Sequence, residues 1–64
     1  MKFKEHDVVR TIKSFSLNEE EHIPVGTEGT VVCVYADGKA YEVEFIIGGF
    51  STLATVYKEH LEAA

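Results

Sequence analysis

TVVCVY (30–35), ADGK (36–39) and AYEVEF (40–45) run on from one another and read together as a β-hairpin. The first run is β-branched or aromatic at five of its six positions, which suits a pleated, half-buried surface. Asp37-Gly38 is a short-range hairpin signal. It is expected to supply the two central residues of the turn, with Gly38 at positive φ. In the third run Tyr41, Val43 and Phe45 fall on one face and Glu42 and Glu44 on the other. A strand of this period has one buried side and one wet side. The three apolar residues are therefore expected in the core and the two carboxylates outside it.

The flanking sequence keeps the same punctuation. Val8-Val9 opens a short run ending near Ile12, and SFSLNEEEH (14–22) is polar and acidic, as an exposed loop would be. Ile23-Pro24-Val25-Gly26 reads as a turn with Gly26 free to take φ > 0. Gly29 marks a close approach of two β segments or a bulge. Gly48-Gly49 turns the chain again into the β-branched segment Ser51 to Tyr57. Lys58-Glu59-His60 reads as one helical turn before Leu61, which closes the core. The expected fold is all-β: residues 1–64 as a single SH3-like barrel of about five short antiparallel strands, with the helical turn before the last.

The runs DVV (7–9), GTEGTVVCVY (26–35), DGKAYEVEF (37–45) and HL (60–61) resemble a family of small stand-alone bacterial domains of unknown function, DUF4926. The likeness spans Asp7 to Leu61, and it implies an SH3-like barrel without an assigned activity. It also implies a small accessory protein, with a toxin or nuclease as the kind of partner such a protein accompanies. The acidic stretch Asn18 to His22 departs from the family pattern.

Size and charge narrow the function. The chain has 64 residues, with 6 basic and 11 acidic side chains and a formal net charge of -5. Phosphate backbones reward clustered Lys and Arg, which disfavours nucleic acid as a partner. Four of the six cations, Lys2, Lys4, Arg10 and Lys13, fall in the first thirteen residues and could form a local basic edge. No apolar run approaches the length of a membrane span, and the start shows no signal-peptide pattern, so a cytoplasmic location is expected. Cys33 is the one cysteine, which excludes an internal disulfide and fits a reducing compartment. So small a domain without a staple is expected to self-associate.

No catalytic or metal-binding constellation stands out. His6, His22 and His60 lie at no ligand spacing from one another, and a single thiol cannot complete a zinc set. Cys33 lies mid-strand among valines, where thiols are buried and inert. Glu42 and Glu44 lack the apolar surroundings that would raise a carboxyl pKa. The segment LATVY (53–57) stands where plasmid-borne dihydrofolate reductases, which the fold also resembles, carry Val-Gln-Ile-Tyr. It lacks the glutamine, so a small oligomeric enzyme ranks third. A nucleic-acid-binding barrel using the four N-terminal cations ranks second. The leading expectation is a non-catalytic protein-interaction module, an accessory, antitoxin-like or immunity-like partner of another protein, for which a basic one would suit the acidic surface, needing no cofactor and no metal. Its candidate surface is Glu19, Glu20, Glu21, Glu42 and Glu44, with Ile46 and Phe50 as exposed apolar groups; at least one of Phe3, Ile46 and Phe50 is expected at the surface.

With this charge balance the protein should not retard duplex DNA in a gel-shift assay at low-micromolar protein in physiological salt, because few counterions would be released. A clear shift under those conditions would reverse the ranking of partners.

Overall fold

The computed structural model describes residues 2–64. Seven strands form: β1 (Val8–Thr11), β2 (Phe15–Ser16), β3 (His22–Ile23), β4 (Glu28–Tyr35), β5 (Ala40–Ile47), β6 (Phe50–Tyr57) and β7 (Leu61–Ala63), with a 3-10 turn at Lys58–His60. Five make one antiparallel sheet in the order β6-β5-β4-β1-β7, and β2 and β3 make a separate small ladder. The expected all-β class, with a short helical turn before the last strand, is what the chain forms.

The alternation read in β5 holds. Tyr41, Val43 and Phe45 are fully buried, joined by Val9, Ile23 and Val31, while Glu42 and Glu44 lie on the opposite face. Val56 and Ala54 line the same buried side from β6, opposite Tyr41 and Val43, and Leu61 closes the core beyond the 3-10 turn.

At the first hairpin Asp37 and Gly38 are, as expected, the central pair of a turn, closed by Lys39 N–H donating to Ala36 O at 3.3 Å. An overlapping turn precedes it: Gly38 N–H donates to Tyr35 O at 3.0 Å across Ala36 and Asp37, which have φ of 50° and 58°. Both are left-handed, as the right-handed twist of the flanking strands demands. Gly38 is at positive φ as expected, 91°. Residues 14–22, expected as a loop, need correction. Phe15 pairs with Ile23 and Ser16 with His22, and Phe15 meets Phe45 edge-on at a centroid distance of 6.3 Å. An aromatic and an isoleucine with core to cover outweigh the polarity of the residues between them.

Cys33 is the second correction. It is half-buried rather than inert in the core. A register step between Val31 and Cys33 inserts Val32 as a bulge, and beyond it the strand's faces are exchanged. Phe3, a candidate for exposure, is 7% exposed. Its N–H donates to Tyr41 Oη at 3.0 Å, and its ring meets Tyr41 edge-on at 5.3 Å.

Among the described residues, the one buried polar residue ties β1 to the turn before β4. Thr11 Oγ1 donates to Pro24 O at 2.8 Å and accepts from Thr27 N–H at 3.0 Å. Next to this knot, Gly29 is packed where no side chain fits. A Cβ there would lie 2.6 Å from Val43 Cγ1, 2.8 Å from Phe45 Cδ1 and 2.9 Å from Glu44 O. The last is backbone within a paired strand and cannot step aside. Gly29→Ala should cost about 1–3 kcal/mol by overpacking, read as a Tm lower by at least ~4 °C for a domain of this size. An unchanged thermal melt would mean that β4 and β5 do not approach as described.

Candidate functional site

Directly opposed residues on paired strands share a face, so the register maps the side of the sheet turned away from the core. Across β4, β5 and β6 it reads Tyr35, Ala40, Tyr57; then Cys33, Glu42, Thr55; then Thr30, Glu44, Leu53, with Val8 of β1 beside Thr30; then Ile46 and Ser51. Glu42 and Glu44 thus stand in a row down the middle strand. Leu53, Ile46, Tyr57, Tyr35 and Val8, all exposed, frame them. Ile46 is 65% and Leu53 56% exposed.

The carboxylates are held rather than free. Thr55 Oγ1, directly across on β6, donates to Glu42 Oε1 at 2.8 Å, and Ser51 Oγ donates diagonally to Glu44 Oε2 at 2.8 Å. Each accepts from a neutral hydroxyl through one oxygen, with its second oxygen available to a donor from outside. Side chains of this kind suit a cation with an aliphatic stem, which could lie along the apolar frame while its head meets the carboxylates.

The family model described as a domain of unknown function, DUF4926, matches residues 5–62. The chain belongs to this family. No curated protein matches it, and no solved structure does.

In this DUF4926 domain the other residues singled out from sequence fall elsewhere. Glu19, Glu20 and Glu21 form the exposed turn between β2 and β3, where Asn18 Oδ1 accepts from the N–H groups of Glu20 and Glu21, each at 2.8 Å. Phe15 of that hairpin packs on Phe45, a core-facing residue. The acidic turn therefore belongs to the core side of β5, and the two carboxylate groups do not make one surface. Phe50 is 76% exposed but opposes Ile47, so it sits at the end of the hairpin and not within the Glu42/Glu44 face. Leu53, Tyr35 and Tyr57 were not singled out as site residues. The alternation of β6 against β5 would have placed Leu53 and Tyr57, whereas Tyr35 depends on the bulge.

Two of the four cations of the expected basic edge, Lys2 and Arg10, stand in internal pairs. Arg10 lies between Glu62 (3.0 Å) and Glu28 (3.6 Å), its cross-strand neighbours on both sides, and Lys2 faces Asp37 at 3.7 Å. Among the described residues no helix is long and apolar enough to cross a membrane. His6 and His22 are exposed, and His60 stands edge-on to Tyr57 at 6.3 Å.

The bulge brings one further pair together. The Tyr35 phenol is raised above the usual tyrosine range, first by the negative charge of Glu42, then by partial desolvation and by Cys33. A nearby carboxylate disfavours the phenolate, so Glu42→Gln should lower the Tyr35 pKa. Residue-resolved NMR titration of the tyrosine ring checks this; an unmoved titration would place Glu42 away from Tyr35.

Proposed function

We propose that this domain is an SH3-like barrel acting as a non-catalytic protein-interaction module, and that its contact surface is the outer face of β4–β6 around Glu42 and Glu44. The strand order β6-β5-β4-β1-β7, with the 3-10 turn leading into the last strand, supports the barrel reading. The observation that carries the functional reading is the pairing of two hydroxyl-anchored carboxylates with an exposed apolar frame. The partner that fits is a protein presenting Lys or Arg beside apolar side chains. An accessory or immunity-like role in the bacterial cytoplasm accords with an acidic surface that covers a basic one, and with a half-exposed thiol that a reducing compartment would preserve. Nucleic acid is the weaker reading, because Arg10 and Lys2 are already paired with carboxylates.

Purification of the tagged protein from its own host, with identification of what accompanies it, is the direct test. A specific basic protein should be retained by the wild type and by a variant with Glu19, Glu20 and Glu21 changed to Gln. It should be lost from Glu42→Lys/Glu44→Lys and from Ile46→Asp. Retention by both of those variants, with the melting curve unchanged, would remove the outer face from consideration.

A further inference from the structure

The sheet has two edges, and they are unlike. β7 is three residues long and carries Glu62, which is bound to Arg10. A short, charged edge of this kind resists pairing with another chain. β6 is the opposite. Its eight residues pair with β5 without any register step. Among the described residues no backbone group outside β5 bonds to it. From Ile46 to Tyr57 there is no charged residue and no proline. Phe50, Leu53 and Tyr57 are 76%, 56% and 60% exposed along it. Every usual means of blunting an edge strand is missing here.

The occupant follows from charge. A molecule of net charge -5 repels a second copy of itself over most of its surface. The stretch from Ile46 to Tyr57 is where two copies can meet with no charge on either strand. We infer that β6 pairs with β6 of a second copy, antiparallel across a two-fold axis, joining the two five-stranded sheets into one.

The symmetry restricts the register. Opposed residues must share a face, and a two-fold axis makes the pairing reciprocal, so the axis passes through a residue facing its own copy. With the axis at Leu53, Leu53 faces Leu53 of the partner subunit on the outer side. Ser51 then faces Thr55 of the partner subunit, and Phe50 faces Val56 of the partner subunit. With the axis at Ala54, Phe50 would oppose the 3-10 turn and stay uncovered. An axis at Thr52 would cover Phe50 but set Leu53 against Ser51 of the partner subunit; the Leu53 register covers Phe50 and also puts apolar on apolar at the axis. The pairing does not depend on what the Glu42/Glu44 face binds.

Sedimentation velocity over a range from micromolar to millimolar protein should show a monomer passing to a dimer. Leu53→Lys, which places two ammonium groups together at the axis, should sediment as a monomer throughout while keeping its melting curve. The register is read separately in a Cys33→Ser background under mild oxidation. Leu53→Cys should cross-link into a covalent dimer. Thr55→Cys should not, because its two copies would lie about 13 Å apart along the strands, beyond disulfide reach. A wild type that stays monomeric at every concentration overturns the proposal. So does a dimer that persists in Leu53→Lys, or one that cross-links through residue 55 and not 53. Should Leu53→Lys fail to fold, the wild-type sedimentation and the cysteine pair decide by themselves.

Discussion

One residue of β4, Val32, has no partner on β5, and the two faces of the sheet are what they are because of it. Val31 opposes Val43, whereas Cys33 opposes Glu42, so β4 advances two residues while β5 advances one. Uninterrupted alternation from the buried Val31 would turn Cys33 and Tyr35 toward the core and Val34 outward. The step reverses this and sets Cys33 and Tyr35 beside Glu42. The strand is secured from its other side at the same place. Val31 N–H donates to Asp7 O at 2.9 Å, and His6 N–H donates to Val31 O at 2.7 Å, with His6 itself at a φ of 75°. A bulge bends and twists its strand, and here the segment leading into β1 holds the bend.

The core is completed from outside the five-stranded sheet. Tyr41 and Phe45, near the two ends of the buried row on β5, are each covered by an aromatic from a segment without long strands of its own, Phe3 and Phe15 respectively. The Tyr41 hydroxyl is fully buried and accepts from Phe3 N–H. A phenol left without a partner there would cost of order 1–3 kcal/mol. In a domain this small, where the sheet alone buries little, these two lids are a sizeable part of what separates the folded from the unfolded chain.

What could be read in the sequence was whatever repeats locally. Tyr41, Val43 and Phe45 alternate with two glutamates, and a half-buried strand leaves no other assignment for them; Ile46 follows by the same parity, and its exposure with it. Gly48-Gly49 marked the second hairpin, with φ of 59° and 83°. The bulge left no such mark, because Val32 is chemically like its neighbours and no glycine or proline stands beside it. Phe3 and Phe15 looked stranded among polar residues, since their partners Tyr41 and Phe45 lie far along the chain and no local pattern encodes that. Asp37-Gly38 marked its own turn but not the overlapping one that begins at Ala36, for a related reason. Ala36 adopts a left-handed conformation against its own preference, under the demand of strand twist and the Tyr35–Ala40 pairing. The grouping of the Glu19–Glu21 turn with Glu42 and Glu44 failed on topology, because charge alone does not say on which side of a sheet a hairpin packs.

The outer face and the β6 edge bear on each other through geometry. Antiparallel pairing across a two-fold axis continues the sheet without turning it over, so the outer faces of both copies lie on the same side. Two Glu42/Glu44 rows would then stand on one surface, one strand removed from the shared β6 edge on either side, with paired Leu53 side chains between them. A single exposed pair of carboxylates holds a cation weakly, since surface ion pairs are worth about 0–1 kcal/mol. Two such rows at fixed separation turn the second contact into an intramolecular one, and a partner with basic groups at matching spacing gains affinity without any new kind of interaction. The charge-free edge and the acidic face would in that sense act together: the edge would let an acidic protein meet itself, and the meeting would double the surface on which its acidity can act.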